Sequence, residues 1–358
     1  MWNQPLMSGA GPPEQDRPDE LEYLCVETFL RSIVGARALA AAFELGVIDH
    51  LIESQPSDPE ALAKLCGADA AGLRLLLGLL TANRVVEQSG AGLRLSREFI
   101  KALRYRDLLE TKLAFADLAV PDLMNLFSAL IRDPARFARE SRVLRLFRYD
   151  RCLDPTPESY ELAKRWMAVT TCLTRYEARA CMRHHDFGRY RRMLDIGGNS
   201  GEFALQVCRR HPQMRAVVFD LPVVCDLGQE HVRAEPEAGR ISFVRGDALA
   251  DELPEGCDLI TFKSMLHDWP EPQARQLMAR ASQALAPGGT LLIFERTGAE
   301  PDESAMAYSA IPFVLFSRWF RSPAWYAEAL TELGCQDVAV RNIALESAFC
   351  LVTARKVL

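Results

Sequence analysis

The sequence carries no surplus of basic residues: 42 Lys and Arg stand against 48 Asp and Glu, for a net charge of -6. A general nucleic-acid binder shows a basic excess, so that class is set aside. No apolar run reaches the roughly 18 residues that a membrane span needs. The first residues also lack the basic-then-apolar order of a signal peptide. The ten cysteines form no C-x-x-C pair, and Cys172, Cys208 and Cys350 sit among apolar neighbours. They read as reduced, buried small hydrophobes, and no metal site is expected. What remains is a cytoplasmic protein with neither nucleic acid nor membrane as a partner.

What is present is a chain of 358 residues, long enough for two or three domains. Residues 1–19, with Pro5, Pro12, Pro13 and Pro18 among polar residues, predict a disordered tail. Residues 20–105 predict a helical and winged-helix unit. Ser57-Asp58-Pro59-Glu60 opens a helix with a cap and a first-turn proline. A second helix over residues 70–82 is apolar at Leu73, Leu76, Leu77 and Leu80. Two short β runs then flank Ser89-Gly90-Ala91-Gly92, a hairpin. A DNA-reading winged helix should be basic, yet Lys64, Arg74, Arg84 and Arg94 are matched by Asp58, Glu60, Asp69 and Glu87. The unit is better suited to packing or dimerisation.

Residues 106–185 predict a helical linker and acceptor-pocket region, apolar over 108–131 with Pro121 as a break. Arginines recur at 132, 136, 139, 142, 145, 148 and 151, and Arg142, Arg145 and Arg148 would share one side of a helix. Such a run is a solvated or inter-subunit face, or it supplies an arginine that grips an anionic acceptor. The helix over 158–182 carries Trp166, Met167, Thr170, Arg175 and Tyr176, some of them candidates for the acceptor pocket, with Phe316 from an aromatic stretch further on.

Residues 186–358 alternate strand and helix, which predicts an α/β sheet. Met193-Leu194-Asp195-Ile196 ends in Gly197-Gly198-Asn199-Ser200-Gly201, and a helical run starts at Phe203. Strand, glycine turn and helix form a ligand-binding unit, because backbone N–H groups and a helix N-terminus face the site. A dinucleotide fingerprint would need glycine at Ile196. The loop instead reads D-x-G-x-G-x-G with Asn199 in place of one glycine, a mild swap since Asn tolerates positive φ. Asp220 ends the next strand, 22 residues past Gly198, where an acidic residue accepts from ribose hydroxyls. The turn Gly246-Asp247-Ala248 can accept from an adenine amino group.

These segments resemble S-adenosylmethionine (SAM) dependent methyltransferases, and more closely the O-methyltransferase family of plant caffeate and bacterial polyketide enzymes. Its methylthiohydroxybutyrate S-methyltransferase branch is also similar. The resemblance rests on Leu194-Asp195-Ile196-Gly197-Gly198, Phe219-Asp220-Leu221-Pro222, Gly246-Asp247 and Leu266-His267-Asp268-Trp269. It implies a Rossmann-like class I methyltransferase sheet behind an N-terminal, mainly α-helical winged-helix dimerisation domain, and a homodimer. It implies SAM as cofactor, bound by Asp195, Gly197, Gly198, Asn199, Gly201, Asp220, Leu221, Asp247, Ala248, Lys263 and Trp269. Asp220 would hold the ribose and Asp247 the adenine, with Trp269 near the ring. His267 would be the general base, with Glu295 fixing its tautomer and Asp268 beside it.

Methyl transfer to a hydroxyl needs positioning, a dry site and a proton acceptor. The resemblance implies, as acceptor, a hydroxyl of an aromatic or polyketide-like small molecule. The alternatives are S- or N-methylation of a small carboxylate held by arginine, and a SAM-sensing regulator that uses its winged helix. One departure from the plant members stands out. They carry a second glutamate before the last large helix, whereas Trp319-Phe320-Arg321-Ser322 here contains none.

Overall fold

The computed structural model describes residues 19–357 apart from residues 31, 91, 299–310 and 317–318. The tail expected over residues 1–19 lies, except for Asp19, outside the described residues. A 3-10 stretch, Asp19–Leu30, leads into α1 (Ile33–Glu44) and α2 (Val47–Glu53). Asp58 caps α3 (Pro59–Leu65) by accepting from the Glu60 and Ala61 amides, which satisfies donors the first turn leaves open. Asp69 does the same for α4 (Ala70–Ala82), which buries Leu73, Leu76, Leu77 and Leu80. β1 (Val86–Ser89) and β2 (Gly92–Leu95) pair antiparallel as the wing. These elements share one core with Phe29, Leu39 and Phe99, and Tyr176 enters it from a later helix.

α5 (Arg97–Ala102) precedes α6 (Arg106–Arg132). Pro121 lies inside α6 rather than breaking it as its type predicts. The helix is held on both sides of the proline, by Leu113, Ala116 and Ala119 before it and Leu130 after. By length and composition the stretch Arg97–Arg132 would pass as a membrane span, where the sequence predicts none. Met124, Phe127 and Ile131 on it are exposed. α7 (Pro134–Glu140) and α8 (Arg142–Leu146) follow. The arginine run therefore does not share one helix: Ser141 interrupts it as the cap of α8, and Arg148 falls beyond. Arg142, Arg145 and Arg148 are all exposed, which is the solvated face.

The long α9 (Pro157–His184) hands the chain to the sheet: β3 (Arg192–Ile196), α10 (Glu202–Arg210), β4 (Arg215–Asp220), α11 (Pro222–Val232), β5 (Ile241–Arg245), β6 (Cys257–Lys263), α12 (Glu271–Ala284) and β7 (Leu285–Arg296). After α13 (Ile311–Phe316) and α14 (Pro323–Glu332), β8 (Gln336–Ala344) and β9 (Ala348–Arg355) form a terminal hairpin. Sheet order is β5-β4-β3-β6-β7-β9-β8, parallel through β7 with β9 antiparallel to both neighbours. α12 stops at Ala284, where Leu285 is captured in register opposite Cys257.

Alternation along β3 sends Met193 into one core with Phe203 and Val207, and Leu194 and Ile196 into another with Ile260 and Phe262. A strand buried on both faces reads as continuously apolar. The chain runs outward from β3 to β5, then returns to build β6 and β7 on the other side. Ligands bind at such a switch point, beyond the carboxyl ends of the strands.

Asp122 inside α6 is buried and accepts from the Ser141 hydroxyl at 2.7 Å and the Val143 amide at 2.9 Å. It thereby ties α6 to the start of α8. Asp122→Ala should lower stability by about 2 kcal/mol or more, since two buried donors lose their partner. A fall in the thermal midpoint would register this, and an unchanged midpoint would contradict it.

Candidate active site

Beyond β3 the chain turns at Gly197, with φ at 67°, and a Cβ there would stand 2.4 Å from Met265 Cγ. Only glycine satisfies both the left-handed backbone and that contact. Asn199 also has positive φ, 56°, and its side chain accepts from the Ser200 amide at 2.7 Å. Gly201 then starts α10. Asp195 corrects its placement in the cofactor set. Its side chain is fully buried beneath the loop, with one oxygen accepting from Thr261 Oγ1 at 2.6 Å and the other unpartnered. A Cβ on Gly198 would sit 2.7 Å from that second oxygen. Burial raises this carboxyl to about 7. Asp195 supports the loop from below and does not reach the cavity that the loop borders.

That cavity runs along the carboxyl edge of the sheet. Gly197, Asn199, Asp220, Leu221, Asp247, Ala248, Lys263, His267, Asp268 and Trp269 all line it. Gly198 and Gly201 shape the turn without facing the space. Asp220 accepts from the Asn199 amide through one oxygen and the Leu221 amide through the other, each at 2.8 Å. Burial raises it to about 6 in spite of these two bonds. Asp247 is oriented by the Leu249 amide, 2.9 Å from Oδ1. The oriented carboxylate of Asp220 and the glycine cradle at Gly197 fit a nucleoside with an extended tail.

His267 lies in the 3-10 turn Leu266–Asp268 after β6. Its Nδ1 is 2.6 Å from Glu295 Oε2 at the end of β7. Glu295 Oε1 accepts from the Met265 and Leu266 amides, each at 2.7 Å, and the residue has no exposure at all. A carboxylate in that position accepts, so Nδ1 carries the proton and Nε2 is the basic nitrogen. Nε2 stands 3.4 Å from Asp268 Oδ1. Burial alone would lower the imidazole, but the charges of Asp268 and Glu295 outweigh it and raise the pKa. Phe320 stands edge-on to the ring at 5.4 Å. Arg321 donates to the Leu266 carbonyl at 2.8 Å and also to that of Trp269. An arginine thus grips the carbonyls of the turn from the segment where the plant members carry a carboxylate.

The remaining wall is mostly apolar. Trp166, Val169, Thr170, Leu173 and Glu177 form one stripe of α9, joined by Phe147, Tyr149, Ile311 and Phe316. Met167 and Arg175 are corrections to the acceptor-pocket set. Nine residues past Trp166 is two and a half helical turns, so Arg175 is on the opposite side. There it pairs with Asp107 at 2.7 Å, and Met167 shares the same outer depression. The stripe spacing from Trp166 would have pointed to Glu177, which the sequence reading missed. Tyr149, Phe320 and Arg296 were also missed, and no local pattern marks them.

Comparison with known proteins matches residues 154–336 to the model of the O-methyltransferase domain and residues 28–98 to that of the O-methyltransferase dimerisation domain. The chain is similar to a 3-hydroxy-5-methyl-1-naphthoate 3-O-methyltransferase of Streptomyces sahachiroi, with 30% identity over 98% of this chain and 99% of that one. A shorter segment, 39% of this chain and 42% of the relative, is 36% identical to the N,N-dimethyltransferase OxyT of Streptomyces rimosus. Among solved structures, human N-acetylserotonin methyltransferase in complex with SAM shares the fold. It has a TM-score of 0.72, 22% identity and coverage of 90% of this chain and 94% of that one.

The raised pKa of Asp220 makes SAM binding pH-dependent if its carboxylate accepts from the ribose. Protonation removes the acceptor, so affinity should fall as pH drops through about 6. Isothermal titration at several pH values measures this. Asp220→Asn should bind about tenfold or more weakly and lose the pH step. An affinity flat across the acid range would break the link between Asp220 and the ribose.

Proposed function

The chain belongs to the O-methyltransferase family, and from that premise we propose that it methylates a hydroxyl of an aromatic or polyketide-like small molecule, with His267 as general base. It is a SAM-dependent methyltransferase. When bound, SAM supplies a methyl on positive sulfur whose leaving group is a neutral thioether, so no acid is needed there. Asp220 would hold the ribose, Asp247 the adenine, and Lys263 and Trp269 the flanks of the cofactor.

The observation that carries the reading is the buried Glu295–His267 pair at the cavity wall, with Nδ1 bound to Glu295 and Nε2, 3.4 Å from Asp268, as the nitrogen left to take a proton. The acceptor oxygen forms the new bond to carbon, and its proton goes to Nε2. Glu295 then stabilises the resulting imidazolium at 2.6 Å. The aromatic wall of Trp166, Phe316 and Phe320 suits a flat acceptor. A relative of similar length named for a hydroxynaphthoate supports the same chemistry. The dimerisation-domain match and the exposed Met124, Phe127 and Ile131 favour a homodimer.

The segment shared with OxyT favours N-methylation as a second reading. S-methylation of a small carboxylate has less support, because Arg142, Arg145 and Arg148 are exposed and Arg175 faces away from the cavity.

The test follows a labelled SAM methyl into panels of phenols, aromatic amines and thioether carboxylates. Label in a stable methyl ether is the expected outcome, and label only in amine or sulfonium would overturn the hydroxyl reading. His267→Ala should lower kcat about a hundredfold or more while leaving SAM affinity unchanged. An undiminished kcat would remove His267 as the base. Because the imidazole must be neutral to accept a proton, activity in the wild type should rise with pH past a value above the usual 6.5.

A further inference from the structure

Past Lys263, one end of the cavity is built from charged side chains that methyl transfer to a hydroxyl does not require. Glu177 on α9 pairs with both Lys263 and Arg296. Arg296 is also 3.6 Å from Glu346 in the β8–β9 turn, and Lys112 on α6 pairs with Glu27. Lys112, Glu177, Lys263, Arg296, Glu346 and Ser347 face the cavity. Burial and then the charges of Glu346 and Glu177 push the Tyr23 hydroxyl up. The charges of Glu27 and Glu346 hold Lys112 protonated against its burial. Lys112 lines the cavity, whereas Tyr23 belongs to the N-terminal core.

Not all of these groups are satisfied. Glu346 Oε2 and Ser347 Oγ, both of residues that line the cavity, are buried without a hydrogen-bond partner, and the Glu346 side chain is only 9% exposed. Unsatisfied buried polar atoms are costly, so a guest that completes them is favoured. Counting Glu27, the ion-pair partner of Lys112, three carboxylates offset the three cations, and the alcove is neutral. A guest with a net charge would unbalance it, whereas a zwitterion would not. An ammonium has three donors, enough for the open oxygens of Glu346 and Ser347 on the cavity wall. A carboxylate can accept from Lys112 and Arg296, whose donors outnumber the bonds they make to Glu27 and Glu177.

We infer that this alcove binds an α-amino-acid group on the acceptor, so that the molecule methylated is a hydroxylated aromatic amino acid or carries one as a substituent. The inference rests on the hydroxyl-transfer reading of the cavity. Sheet order assigns the alcove to the acceptor rather than the cofactor. The proposed cofactor seat spans the ends of β5, β4 and β3 and reaches Lys263 at the end of β6, which borders both regions; the rest of the alcove lies beyond it, over β7 and the β8–β9 turn. Lys112 comes from α6, outside the sheet.

Calorimetric titration of the protein saturated with S-adenosylhomocysteine tests this, with L-tyrosine, tyramine and 3-(4-hydroxyphenyl)propionate as probes. L-Tyrosine should bind about tenfold or more tightly than either analogue, since each analogue lacks one charge-assisted set of bonds. Glu346→Gln and Lys112→Met should each erase that preference while leaving the affinity for S-adenosylhomocysteine unchanged, which also shows that the variants fold. Equal binding of the three probes, or binding of none, overturns the proposal. So do substitutions that weaken S-adenosylhomocysteine and spare the tyrosine preference, for the alcove would then serve the cofactor's own amino-acid end. A tyrosine preference without methyl transfer to its phenol oxygen would keep the alcove and remove the hydroxyl reading instead.

Discussion

A single buried carboxylate organises the carboxyl edge of the sheet. Glu295 is withdrawn from water at the end of β7, a position that is costly unless every lone pair is used. It is compensated by the His267 imidazole and two backbone amides. Those bonds fix the turn after β6 to the end of β7, and with it the tautomer and aim of His267. Arg321 holds the carbonyls of the same turn from the other side. The geometry of His267 therefore follows from the pairing of two adjacent parallel strands, in register from Leu259 to Lys263 opposite Phe294.

The cavity itself belongs to no single layer. The sheet contributes its glycine loop and acidic strand ends, and α9 lays a stripe of side chains across them. Tyr176 on that same helix packs into the winged-helix core, so α9 couples the front of the chain to the site. Where charges enter the interior, as at Glu177, Lys263 and Arg296, they do so as a balanced set. Burying ions unpaired would cost far more than their attraction returns.

Much of the fold was legible in the sequence because local physics decides it. Asp58 and Asp69 cap the helices they precede, Gly197 and Asn199 take positive φ, and the strands alternate between two cores. The positions of Asp220, Asp247 and His267 beside one cavity follow from strand order, which the β-α alternation carries. Other features depended on neighbours far away in sequence. Pro121 does not end α6, since flanking contacts hold the helix through it. Arg175 turns from the cavity to Asp107, and Asp195 lies beneath the loop it was expected to serve through.

The sequence by itself determined the class of fold, the identity of the cofactor and the residue types at the sheet edge, because these are encoded in short segments with fixed spacing. Only the tertiary structure decided which face of α9 looks inward, that Arg321 grips the turn of the proposed base, and that Lys112, Glu177, Lys263, Arg296 and Glu346 meet at one end of the cavity. Those residues come from two helices, two strand ends and a hairpin turn. No periodicity links them, and the desolvation that forces them to pair arises only once the chain is packed.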